Sequence, residues 1–247
     1  MKATHLICVI SVLVFACPIT ASAQQPAQLT PLVSNEISVA RYDDNVHGRY
    51  FGGWFTDARM KRLAIVVANS SKQPVIAAHV WWKWIDTAGK PGQLVQQHNS
   101  LVSSSGFVVN ARATVLILPD GTATQVGRRS GIGGYLGLPR TLLTAPTITV
   151  ALDAIILADG EVIGPDKGRL VKELQGQAEA AARVRDIIIA ARAQGRDPRP
   201  DVDIAAKDIS LSSATRRYIV HLAHSGGRSG QIPIPQQIQL PKFYRKP

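Results

Sequence analysis

The sequence predicts a mainly β protein, an Ig-like antiparallel β-sandwich with a C-terminal helical extension, and three observations lead there. Short runs rich in β-branched residues recur from Glu36 to Asp166, separated by Asn, Asp, Gly and Pro turn signals. Beyond Gly164-Pro165-Asp166 the apolar period changes from the alternation of strands to the spacing of a helix. Cys8 and Cys17 are the only cysteines and both lie near the N-terminus, so the folded body must depend on an apolar core and not on disulfides.

Residues 1–23 read as a signal peptide. Lys2 supplies the positive start, Leu6 to Phe15 the apolar run, and Ala21-Ser22-Ala23 the small-x-small cleavage pattern before Gln24. The run is shorter than the ~20 apolar residues that span a bilayer, and no later stretch is long enough. Val14-Phe15-Ala16-Cys17 offers a rival lipoprotein reading through Cys17, but bulky Phe15 fits a lipobox badly and ordinary cleavage is favoured. Export to the periplasm or the medium is therefore expected. Residues 24–31 are rich in Gln, Pro and Ala and read as a flexible tether.

The sandwich is assigned to residues 32–166. Arg62 to Ala68 is its first clear strand. Val75 to Asp86 is the next, with Ile76, Ala78, Val80, Trp82 and Trp84 on one face and Ala77, His79, Trp81 and Lys83 on the other. Asp86-Thr87-Ala88-Gly89 closes a hairpin. Thr114 to Leu118, the turn Pro119-Asp120-Gly121, and Thr122 to Val126 repeat the pattern, as does Thr147 to Leu157 before Asp159-Gly160.

Residues 167–224 read as a basic helical region that packs on the sandwich. Leu170, Leu174, Ala178, Ala181, Val184, Ile188 and Ala191 form one stripe, with Asp166 as N-cap and Gly195 and Pro198 as the stop. Gly168 and Gly176 fall inside that helix and each costs about 1 kcal/mol relative to Ala, so packing must hold it. Ser210 to His224 carries both a helical stripe and a strand-like alternation. Residues 225–247, with four prolines, predict an extended tail.

The stretch Val67 to Gly89 resembles the FxLYD type of bacterial extracellular β-sandwich module. Asn69-Ser70-Ser71 stands at its Asn-x-Ser turn, Pro74-Val75 at its strand start, and Trp82-Lys83-Trp84-Ile85-Asp86 at its aromatic-x-apolar-apolar-Asp end before Gly89. Trp82 and Trp84 replace smaller apolar residues, and Ile85 replaces an aromatic one. The resemblance implies a sandwich fold and no particular chemistry.

No catalytic constellation accompanies the histidines, so no catalytic residue, cofactor or metal is predicted. His221 and His224 lack an acidic neighbour in sequence, and Asp43 to Gly48 begins like a calcium loop but meets Trp54 where a bidentate Glu belongs. Asp197, Asp201 and Asp203 read as turn and capping residues of a Pro-rich loop. Two candidate ligand sites remain. Arg128 and Arg129 lie in the Gly-rich stretch Gly127 to Gly137, which could cradle an anion but matches no phosphate-binding fingerprint. Trp81, with Trp54 as a lesser candidate, could be a sugar platform; docking of the C-terminal helix over Trp81 is the favoured alternative.

Charge is uneven. Residues 24–166 carry 12 Lys/Arg against 10 Asp/Glu, a net +2, whereas residues 167–247 carry 15 against 7, a net +8. Arg183, Arg185, Arg192, Arg216 and Arg217 are candidate contacts to an anionic envelope surface or cell-wall polymer. Nucleic acid is not expected, because no stacking aromatics are interleaved with these arginines. The sequence thus predicts a non-enzymatic exported module that binds or scaffolds at the cell envelope, with an envelope protein as a further partner class. A carbohydrate or cell-wall binding module using Trp81 is the alternative, and a hydrolase with an unrecognised site the third.

Overall fold

A computed structural model describes residues 26–32, 34–55, 58–101, 108–125, 138–225 and 232–246. It corrects the predicted fold class. The chain is mixed α/β, with about 32% helix and 29% strand among the described residues, and is not a mainly β Ig-like sandwich. One sheet is mixed, with strands β1 (Gln28–Thr30), β8 (Thr147–Leu157), β4 (Val75–Ile85) and β5 (Pro91–Asn99) in that order and β9 (Val162–Ile163) on the end of β8. β1 runs parallel to β8, which no purely antiparallel topology allows. The second sheet is antiparallel, in the order β2 (Ile37–Arg41), β3 (Ile65–Asn69), β6 (Thr114–Ile117), β7 (Ala123–Gln125).

The predicted strands are β3, β4, β6, β7 and β8, and their turns close as the sequence requires. Asp86 Oδ1 accepts from the Ala88 and Lys90 amides at 2.8 Å and so folds the β4–β5 hairpin. Asn69, buried at the end of β3, donates through Nδ2 to the carbonyls of Gln73, Val109 and Asn110. One amide thereby satisfies the backbone of a turn that has left the sheet.

Three departures explain the changed class. Helix α1 (Asp44–Phe51) occupies the stretch that resembled a calcium loop. Asp43 caps it by accepting from the Asn45 amide at 2.8 Å, and Phe51 is buried at its end. Short helices α2 (Ala58–Lys61) and α3 (Arg140–Thr144) interrupt what had read as a run of strands. Of the segment read as a tether, residues 28–30 form β1, because Ala27 enters the core and Leu29 packs against it.

The main core lies between the two sheets. Ala78, Val80, Trp82, Trp84, Val150, Leu152 and Ile155 face Ile65, Val67, Val115 and Ile117 across it. Trp82 is fully buried and its indole donates to the Leu63 carbonyl at 2.8 Å. Ile76, expected on this face, lies on the other. An irregularity between Val75 and Ala77 turns Val75 inward and leaves Ile76 beneath the C-terminal helix.

That helix, α4 (Leu170–Ala193), begins later than predicted. Asp166 does accept from the Leu170 amide, but through a turn that contains Gly168. Leu170 and Leu174, with Val171 beside them, pack on the sheet over Ile76, Ala77, Ala154 and Ile156, and Gln177 accepts from Gln97 of β5. From Ala180 onward α4 builds a separate core with α5 (Arg199–Ala206) and α6 (Ser213–His224), through Val184, Ile188, Val202, Ala205, Ile219 and Leu222. Gly176 has a packing reason. A Cβ there would lie 2.7 Å from the Ala214 Cβ and 2.9 Å from the Thr215 nitrogen, so only glycine lets α6 approach. The ambiguous segment is α6, started by Ser212 Oγ accepting from the Thr215 amide. The tail returns across the molecule. Ile232 enters the helical core, Leu240 and Phe243 pack beside Leu170, and Tyr244 pairs in parallel with Glu161.

Candidate ligand-binding cleft

The first turns of α4 pack over Ile76, Ala77, Ala154 and Ile156 of the mixed sheet and not over Trp81. The favoured expectation, that the helix would dock over this indole, is therefore replaced by an open cleft of about 700 Å³. Its wall is Trp81 and Lys83 from β4, with Thr149, Ala151 and Asp153 from β8. Thr30, Pro31 and Leu32 close the β1 side, while Gly164, Pro165, Lys167 and Arg245 form the rim. The register makes this assembly: Ala151 lies opposite both Trp81 and Thr30, and Thr149 opposite Lys83.

Beneath the indole lies a buried polar cluster. Asp153 accepts from the Lys167 amide at 3.0 Å and from the Gly168 amide at 2.7 Å, one through each carboxylate oxygen. The His79 Nδ1 is 3.3 Å from Asp153 Oδ2 and 3.2 Å from the Trp81 indole nitrogen. One ring nitrogen thus serves two partners: a protonated Nδ1 donates to Asp153, and an unprotonated one accepts from the indole. Gly168 is what lets the turn reach this pair, since a Cβ there would lie 2.0 Å from His79 Cε1. Asp153 holds the 166–168 turn through its two backbone donors, and His79 holds the Trp81 edge when its Nδ1 is unprotonated.

The electrostatics of the mouth are positive. Lys83 Nζ sits 4.5 Å from the centroid of the Trp81 ring, a cation–π placement that holds the charge over the cleft. Arg245 is anchored by donating to the Gly164 carbonyl. Its neighbour Lys246 pairs with Glu161 at 2.6 Å and Glu36 at 3.3 Å, which raises the lysine's pKa and fixes the end of the tail. Among the described residues Lys83, Lys167 and Arg245 make no ion pair with a carboxylate.

The predicted arginine contacts stand elsewhere. Arg183 pairs with Asp208 at 2.9 Å, Arg217 with Glu173 at 2.5 Å and Arg185 with Asp186 at 3.8 Å. Arg192 donates to the Ile232 carbonyl, and Arg216 is half-buried on α6. Arg196 and Arg199 are likewise matched by Asp201 and Asp197. Much of the helical region's arginine is thus compensated locally, whereas the cations at the cleft are not. Arg128 and Arg129 lie outside the described residues, as do residues 1–25 and the Trp54 side chain. His221 stacks on Tyr218 and His224 faces the Val220 carbonyl. Among the described residues no group of three or more His, Cys, Asp or Glu is arranged to hold a metal ion, and no helix is long and apolar enough to cross a membrane.

Sequence reasoning placed Trp81 and Lys83 side by side but missed Asp153, Lys167 and Arg245. Asp153 carried a readable signal, as the one charged residue in the apolar run Thr147 to Leu157. Arg245 carried none, because its partner carbonyl is 81 residues away.

On the neighbouring strand, burial lowers the pKa of His98 from its ordinary 6.5 to about 4, and nearby His79 adds to the shift. The fold therefore holds His98 neutral, while the unfolded chain takes up a proton as pH falls through about 6.5. This contribution to stability is complete above that pH and is lost between about 6.5 and about 4. The urea midpoint should fall across that window, and His98→Gln should flatten the fall. An identical pH profile in the variant would count against it.

No family model, curated protein or solved structure matches this chain.

Proposed function

We propose that this protein is a non-enzymatic binding module of the cell envelope whose Trp81 cleft takes an anionic, ring-bearing ligand of the acidic saccharide class. The observation that carries the reading is the convergence of an indole with three uncompensated cations, Lys83, Lys167 and Arg245, on one cleft. Its volume lies within the roughly 300–1,000 Å³ range of small-molecule sites. Recognition divides in two: the indole meets the C–H face of a ring, and the cations meet carboxylate or phosphate oxygens. The leader-like N-terminus supports an envelope setting. Charge on the helical region supports a diffuse anionic contact less strongly, since Arg183, Arg185 and Arg217 already face acidic side chains.

Titration of the purified protein with galacturonate, followed by tryptophan fluorescence, tests the reading. Trp81→Ala and Lys83→Ala are each expected to weaken binding about tenfold, roughly 1.4 kcal/mol. Binding should also weaken as added salt screens the rim. A flat titration of the folded protein at low salt, or unchanged affinity in both variants, would refute the assignment.

A further inference from the structure

We infer that the ligand is a linear polymer, an acidic polysaccharide strand lying along the sheet face, and not a single ring. The inference rests on the reading of the Trp81 cleft and extends it. The cleft continues past Lys83 and Thr149 into a second cavity of about 410 Å³, which those two residues share with the first. Beyond them its walls are Ile85, Pro91, Gln93 and Thr147. These positions are one surface by register: Lys83 lies between Gln93 and Thr149, and Ile85 between Pro91 and Thr147.

The shelf is open because the apolar contacts of α4 and the tail with this sheet gather around Ile76, Ala77, Ala154, Ile156 and Val162, towards the other end of β4. From the Trp81 row to the Ile85 row is four residues of β4, or ~13 Å at about 3.3 Å per residue, which is longer than one sugar ring. Lys83 stands midway, so a repeating acidic group has a cation between two ring positions. Ile85 is 42% exposed, and with Pro91 it gives the second position an apolar floor, as Trp81 does the first.

The shelf chemistry favours a saccharide over an acidic peptide. β4 is paired on both edges, so a peptide lying along it finds the backbone groups committed to the ladders; the free edge belongs to β5, to one side of the shelf. Recognition falls to the Gln93 amide and the Thr147 and Thr149 hydroxyls, which both donate and accept and so match a chain of sugar hydroxyls.

The test compares mono-, tri- and hexagalacturonate, neutral cello-oligosaccharides of the same lengths, and polyglutamate, each titrated into the purified protein. Affinity should rise at least tenfold from the acidic monomer to the hexamer. Thr147→Trp, which fills the second cavity, should bring the hexamer down towards the monomer's affinity. Gln93→Glu, which sets a carboxylate beside Lys83, should weaken the hexamer similarly and serves if the tryptophan variant does not fold. Monomer binding with no gain from length overturns the polymer inference and leaves the Trp81 reading standing. Absence of binding by every acidic sugar removes both. Equal binding of the neutral series, or tighter binding of polyglutamate, overturns the acidic polysaccharide as the occupant.

Discussion

Replacing Trp82 with alanine is expected to destabilise the protein by about 3–5 kcal/mol, the range for emptying a fully buried aromatic site. The indole sits at the centre of β4, between Leu94 and Val150 in register, and fills the space between the two sheets. The variant also leaves the Leu63 carbonyl without its donor. Trp82→Phe retains most of the volume and loses the hydrogen bond, so it should cost only about 1–2 kcal/mol. Trp84→Ala should fall in the same range as Trp82→Ala, because that ring lies directly over Gly92, with its atoms 2.2 to 2.5 Å from where a Cβ would stand. Urea unfolding decides the matter. An unchanged midpoint at unchanged m-value in Trp82→Ala would show that this side chain does not organise the core.

Asp153→Ala should cost about 3 kcal/mol, since two backbone donors lose their acceptor at roughly 1–3 kcal/mol each and water relieves part of the loss. Lys167 and Gly168 are those donors, and His79 loses its acidic partner in the same step. The consequence reaches the cleft, because the same turn carries Lys167 at the rim and Gly168 against the His79 ring. Galacturonate affinity should therefore fall together with stability. Asp153→Asn keeps one acceptor oxygen but turns an amide N–H₂ toward the second donor, so it should be intermediate in both measurements. Wild-type stability in Asp153→Ala would remove the cluster from the account of the cleft, whatever its effect on binding.

Elements with a local signal were legible in the residues alone. Alternation along Val75 to Ile85 assigned Trp82 and Trp84 to the core and Trp81 and Lys83 to the opposite face, because a pleated strand alternates whatever it packs against. The Leu170 to Ala191 stripe located α4 for the equivalent reason at the helical period. The remaining features follow from long-range contacts. Three-residue β1 is too short to carry a pattern, and its parallel pairing with β8 follows from where Ala27 finds burial. The Val75–Ala77 irregularity moved Ile76 to the other face, since one extra residue reverses a period of two. The stripe of α4 stated that a face must be covered but not by what, and α5 and α6 cover most of it. For that reason Trp81 stayed half-buried at an open cleft and not beneath the helix. Arg245 reached the same cleft only because the chain's last residues cross back to Gly164, a long-range contact that no local pattern encodes.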